Sequence, residues 1–269
     1  MQMVGYSAAA CVALYLLAIM PRMLFKPDWR PFQGWHYAHR GLHDKGEWAP
    51  ENSLRAFRRA IEKGYGIELD IQLTRDKRVV VFHDYTLKRV CGQAGRVSDY
   101  TYEELRRFPL YRTDQKIPLL EEVLRLVDGR VPLIVELKIE GTDLSLCPRA
   151  AALLRTYSGI YCMESFNPLG LFWYRRRYPK VVRGQLSDHF PIKFREGGLL
   201  MQCLRYLLFN WLTKPDFIAY RSKYPNDISR WLCRHLYGAV AVAWTVKSRE
   251  EMKRLQKEFD LFIFEDFRA

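Results

Sequence analysis

The 269-residue sequence has no C-x-x-C pair; its six cysteines, Cys11, Cys91, Cys147, Cys162, Cys203 and Cys233, are scattered along the chain. That excludes a small disulfide-stapled fold and predicts reduced thiols in a cytosol-facing domain. Internal repeats and low-complexity tracts are missing as well, so the chain reads as an ordinary globular one. Acid is scarce relative to base: 30 Asp+Glu stand against 43 Lys+Arg, a net charge of +13. Such a balance favours anionic partners such as phosphate esters or anionic lipid headgroups. Nucleic acid is not expected, because the basic residues are spread over helical stretches rather than interleaved with aromatics on one reading surface. One long uncharged apolar run stands out, "MVGYSAAACVALYLLAIM" from Met3 to Met20, and its length is near the minimum for a membrane-spanning helix. No basic residue precedes it and no small-x-small site closes it, so an anchor is expected over a cleaved signal. Arg22, Lys26 and Arg30 follow it, which by the positive-inside rule places the main domain in the cytoplasm. Segment 1–30 is thus expected as a single membrane span with its juxtamembrane stretch, and 31–269 as the folded domain.

With 49% hydrophobic residues the chain can bury a large core. From Trp35 onward, strand-like runs alternate with helical patterns, as in βα units around a parallel sheet. The strand candidates are "WHYAH", "IELDIQL", "VVVFHD", "PLIVELKI", "IYCMESF", "VVRGQLS", "DFIAY", "VAVAWTV" and "LFIFED". Only "TRDKR" separates the second from the third, whereas a parallel crossover needs roughly a dozen residues or more. Those two runs are therefore expected to form a hairpin. Eight parallel strands remain, which predicts an α/β fold of the (β/α)8 TIM-barrel type with its chemistry at the strand C-terminal ends. Residues 191–214 interrupt the pattern with a basic, aromatic and leucine-rich insertion. Its apolar residues Leu199, Leu200, Cys203, Leu204, Leu207, Leu208 and Trp211 recur at helical intervals, with Lys193, Arg195, Arg205 and Lys214 as cations. On pattern alone this fits an interfacial amphipathic helix and equally a helix packed on the barrel, and the expected N-terminal anchor tips the reading toward membrane contact by 191–214.

Polar residues gather at the predicted strand ends: His39 and Arg40, then Glu68 and Asp70, His83 and Asp84, Glu136 and Lys138. Alternate residues of a strand share a face, which pairs Glu68 with Asp70 and Glu136 with Lys138. Three carboxylates in an apolar barrel would repel one another without a positive charge among them, and a hard divalent cation, Mg²⁺ or Ca²⁺, supplies one on oxygen ligands. Taken singly, each residue has an ordinary reading, Glu68 and Asp70 as exposed strand positions and His39 as a hydrogen-bonded structural histidine. The cluster "HYAHRGLH" is not expected to be a zinc site. His36 is at odd spacing from His39 and faces away, and His43 reads as a surface or supporting residue. His189 and His235, isolated, carry no expected chemistry.

The ordered set "HRG", "PENS", "IELDIQLTRD", "VVVFHD" and "VELK", with "SFNP", "GQLS", "AWTV" and "IFEDF" farther on, resembles the glycerophosphodiester phosphodiesterase family over roughly residues 35 to 267. The resemblance implies one divalent cation on Glu68, Asp70 and Glu136, and His39 and His83 as a proton-donating and proton-accepting pair. Arg40 and Lys138 would offset charge developing on phosphate. Glu51 of "PENS" would hold Arg40 or a metal-bound group, and Phe166 and Trp244 would wall the substrate. The expected reaction is hydrolysis of a glycerophosphodiester to glycerol 3-phosphate and an alcohol. A membrane lipid or lysolipid is the alternative substrate, and a non-catalytic basic scaffold at a membrane is a third reading that the intact set argues against. Two departures stand out: Glu265 replaces the threonine usual before Asp266, and 191–214 is inserted. Both are expected to alter the shape of the substrate pocket and to leave the catalytic set untouched.

Overall fold

The structure is a computed structural model that describes residues 2–190 and 198–269. Its strands are β1 (His36–Ala38), β2 (Gly66–Leu73), β3 (Val79–Val81), β4 (Leu133–Leu137), β5 (Tyr161–Ser165), β6 (Arg183–Ser187), β7 (Phe217–Arg221), β8 (Val240–Val246) and β9 (Leu261–Phe264). Sheet order runs β1-β9-β8-β7-β6-β5-β4-β2-β3, and β1 also pairs with β2, so eight parallel strands close into a TIM barrel. The ninth strand, β3, folds back antiparallel on β2 as the short connection requires.

Local chemistry sets the helices between strands. Leu54–Glu62 starts at Ser53, whose side chain accepts from the Ala56 amide; Pro168–Arg177 starts at Asn167, with Pro168 at its first position. Buried leucines and valines such as Leu69, Val123, Leu133 and Leu154 join the helices to the outside of the barrel. A second apolar cluster, including Tyr37, Ile134, Phe217 and Ile263, fills the inside. There, small residues face large ones: a Cβ on Gly184 would sit 2.0 Å from the Phe217 ring. The chain upstream of residue 31 joins this packing. Trp29 stacks on Phe32 with centroids 5.0 Å apart and lies 5.2 Å from Phe217, while Arg22 pairs with buried Asp216 and donates to the Pro179 carbonyl.

Among the described residues no helix is long and apolar enough to cross a membrane, so the expected N-terminal span is not supported. The helix Gln2–Ile19 has 18 residues, about 27 Å at 1.5 Å per residue, against roughly 30 Å of hydrocarbon. Its last turns are also taken up by protein. Ile19 is buried, its carbonyl accepts from Asn210, Tyr15 bonds Ser229 and the Leu16 carbonyl accepts from Tyr237.

Residues 191–197 of the expected insertion, with Lys193 and Arg195, lie outside the described residues. The rest forms two short helices, Gly198–Arg205 and Asn210–Thr213, broken where Leu207 turns to a φ of 56°. Leu204 and Leu207 are buried, whereas Leu199, Leu200 and Trp211 are exposed. Leu204 and Leu207 thus follow the packed-helix reading.

Candidate active site

The turn after β1 aims the first site residues. Arg40 has a φ of 55° and Gly41 one of 80°, two successive left-handed residues of which the first is costly for a side chain with a Cβ. In this pose the Arg40 amide donates to Glu68 Oε2 at 3.0 Å, its guanidinium donates to Glu51 Oε1 at 2.8 Å, and its Nε lies 3.5 Å from Asp70 Oδ2. Glu51 is in turn held by both terminal nitrogens of Arg89 and by the Tyr111 hydroxyl. Burial raises its pKa, but the Arg89 and Arg40 guanidiniums outweigh that and hold it at about 2. Asn52, also left-handed, donates to Asp70 Oδ2 at 2.8 Å and its Oδ1 faces the Asp70 amide at 3.4 Å.

Glu68, Asp70 and Glu136 are buried, and they offer carboxylate oxygens that all lie within 4.8 Å of one another. Ligands sharing one cation at roughly 2.3–2.6 Å must lie within about 5 Å of one another. Asp70 Oδ1 is moreover buried with no hydrogen-bond partner, so the residues present fit a divalent cation. Burial raises the pKa of Glu68, and the charges of Asp70, Glu164 and Glu136 raise it further. Burial acts the same way on Asp70, but the charges of His83, Lys138 and Arg40 override it and bring its pKa down. Lys138 Nζ lies 3.0 Å from Glu136 Oε1 and 3.6 Å from Asp70 Oδ1, so Glu136 and Lys138 do share a face.

The two histidines are fixed alike. His39 Nδ1 lies 3.0 Å from Glu265 Oε2, leaving Nε2 toward the site, 4.0 Å from Glu68 Oε2. His83 Nδ1 lies 2.7 Å from Asp84 Oδ1, and Arg89 secures Asp84 from behind. Burial, with the nearby Arg40 charge, lowers the His39 pKa to about 4, so the ring is neutral near pH 7. Through that contact Glu265 touches His39 of the expected catalytic set, contrary to the expectation that this departure alters only pocket shape. β1 pairs with β9, and that pairing sets Glu265 beside His39.

These groups open into a cavity of about 450 Å³ at the C-terminal ends of the strands. His39, Arg40, Glu68, His83, Glu136, Phe166 and Trp244 all line it. Phe166 and Trp244 meet edge to face, with centroids 5.6 Å apart. Lys138 lines a separate cavity of about 400 Å³ with Tyr85 and Arg96, and Asp70, Glu51 and Lys138 do not line the first one. Around the rim the cavity also meets Arg221, Lys223 and Lys247, which sequence reasoning did not single out. Glu164, likewise missed, is buried in its wall. Its only sequence signal is its place just before "SFNP". His36 and His43 do not join the cavity lining; His36 lies near Phe262 and His43 near Glu265. His189 stacks on Tyr224 and His235 on Trp231.

Residues 39–258 match the glycerophosphoryl diester phosphodiesterase family. A glycerophosphodiester phosphodiesterase of Caldanaerobacter subterraneus subsp. tengcongensis is 31% identical over 229 residues, 82% of this chain and 88% of that protein. One of Bacillus altitudinis is 43% identical over 113 residues, where the match spans 39% of this chain and only 45% of the relative. Among solved structures, an Oleispira antarctica phosphodiesterase in complex with the product sn-glycerol-3-phosphate superposes with a TM-score of 0.71 at 21% identity, covering 87% of this chain and 93% of that one. By its matched residues and its barrel, the chain belongs to the glycerophosphoryl diester phosphodiesterase family.

Proposed function

We propose that the protein is a metal-dependent hydrolase that cleaves glycerophosphodiesters to glycerol 3-phosphate and an alcohol. The observation that carries this reading is a buried carboxylate triad, two of whose members line the cavity, beside two carboxylate-fixed imidazoles that line it as well. A divalent cation, Mg²⁺ or Ca²⁺, held by Glu68, Asp70 and Glu136 would supply Lewis-acid polarisation of a phosphoryl oxygen. Each histidine is tied through Nδ1 and turns Nε2 to the reacting atoms, one accepting the proton of the attacking oxygen and the other donating to the departing alkoxide. Arg40 offers a planar fork to phosphate and Lys138 a point charge. Glu51 keeps Arg40 in place, and Phe166 with Trp244 forms an apolar wall for the glycerol or the leaving alcohol. The test is an assay of glycerol 3-phosphate release by the purified chain from diesters with several headgroups, with and without chelator.

A second reading, a lysolipid substrate met at a membrane surface, is favoured by the N-terminal helix. Running back from Ile19 it passes Cys233 and then Ser229, toward the mouth-side end of the helix Ile228–His235. Beyond that contact Tyr6, Val12 and Leu14 are exposed. Exposed Leu199 and Leu200, with the rim cations Arg221, Lys223 and Lys247, would complete an interfacial surface. On this reading Leu14→Glu with Leu199→Glu abolishes cosedimentation with anionic vesicles and spares hydrolysis of water-soluble diesters. Unchanged cosedimentation of the double variant would remove it.

A further inference from the structure

Four cations gather on the face of the barrel opposite the mouth, and the proposed reaction uses none of them. Arg183 opens β6 and Asp216 immediately precedes β7, so both lie at the N-terminal ends of the strands. Arg175 comes from the last turn of the helix Pro168–Arg177, Arg22 from the stretch after the N-terminal helix, and Lys214 from the end of the expected insertion. Arg22, Arg175, Arg183 and Lys214 line one cavity of about 330 Å³ with Met23 and Leu24. That volume falls within the roughly 300–1,000 Å³ of small-molecule sites. Among the described residues only Asp216 forms an ion pair with any of the four, 3.4 Å from Arg22 Nη1 and 3.9 Å from Arg183 Nη1. Their other hydrogen bonds end on neutral carbonyls: Arg22 on Leu24 and Pro179, Arg175 on Trp211 and Leu212, Arg183 on Thr213 and Lys214, Lys214 on Met20. Arg183 is 2% exposed, and its Nη1 is buried with no hydrogen-bond partner. Burial, with Arg22 and Arg175 nearby, lowers its pKa to about 10, so the guanidinium stays charged at pH 7. A buried cation short of negative charge is unfavourable.

We infer that this cavity binds a phosphate group, either the free anion or the headgroup of a lipid, at a site separate from the catalytic mouth. Four cations less one carboxylate leave three positive charges unmatched. A phosphate monoester brings about two negative charges, where a carboxylate brings one. Guanidinium forks match phosphate oxygens in pairs, and the Lys214 ammonium adds a point charge. Exposed Met23 and Leu24 would flank the carbon side of a lipid.

The test compares wild type with the double variant Arg175→Gln, Lys214→Gln in the purified full chain. Sodium phosphate is titrated calorimetrically in chelator, so that the carboxylates at the mouth hold no cation for it to meet. Cosedimentation is measured with phosphatidic acid vesicles and with phosphatidylcholine vesicles. Each replaced cation is expected to weaken phosphate roughly tenfold, about the worth of one charge-assisted hydrogen bond. Loss of phosphatidic acid vesicles by the double variant assigns the site to a lipid headgroup. Weakened phosphate with vesicle binding absent or equal in both proteins assigns it to the free anion. A control, Arg176→Gln with Arg177→Gln, removes the same charge from exposed positions outside the cavity and should bind as wild type does. Should the double variant not fold, Lys214→Gln alone is measured with the same direction expected. The inference is overturned by a wild type that binds neither phosphate nor phosphatidic acid vesicles, by a double variant that matches wild type with both, or by an equal loss in the control.

Discussion

At the scale of single residues, the site works by fixing side chains through partners distant in sequence. His39 and His83 each spend Nδ1 on a carboxylate, Glu265 and Asp84, which in the proposed reaction presents the opposite nitrogen to substrate. Replacing either histidine with alanine should leave the fold intact by circular dichroism and lower kcat by roughly 10² to 10⁴, the usual worth of a general acid or base. Glu265 both faces His39 and lines the cavity, and Glu265→Gln should cost a measurable yet smaller share of the rate. A Glu265→Gln enzyme at wild-type rate would show that the carboxylate does not position the ring. The histidines, Arg40 and the acidic triad were legible because strand alternation and motif order fall within short stretches of chain. The contact of Glu265 with His39 was not, since residue 265 meets residue 39 only through the β1–β9 pairing that closes the barrel. Glu164 was hidden for the same reason: its neighbour is Glu136, one strand over.

At the scale of elements, periodicity was informative and its limits are physical. The hairpin followed from the short "TRDKR" link, and the remaining runs became the eight barrel strands. The apolar N-terminal run does form a helix, but its last turns pack against Ser229, Cys233 and Asn210. A hydrophobic run carries no mark of whether lipid or protein will cover it. The insertion shows the same ambiguity, with Leu204 buried and Leu199 exposed on a single helix. Inside the barrel, packing leaves no such latitude. Gly184→Ala would drive a methyl into the Phe217 ring and should destabilise by about 1–3 kcal/mol, the usual cost of overpacking. Thermal unfolding measures it, and a melting temperature equal to wild type would mean that Phe217 can swing clear.

At the scale of the whole molecule, closure of the parallel barrel brings residues from both ends of the chain, from His39 to Glu265, to one mouth. The cavity there joins buried carboxylates within to Arg221, Lys223 and Lys247 at its rim. Negative charge inside calls for a cation, and positive charge outside suits an anionic ester on its way in. The most direct measurement is glycerol 3-phosphate release from glycerophosphodiesters by the purified chain, first stripped with chelator and then resupplied with Mg²⁺ or Ca²⁺. The account predicts no release from the stripped protein and recovery on adding a divalent cation. Full activity in the stripped protein, or none with either cation restored, would contradict it.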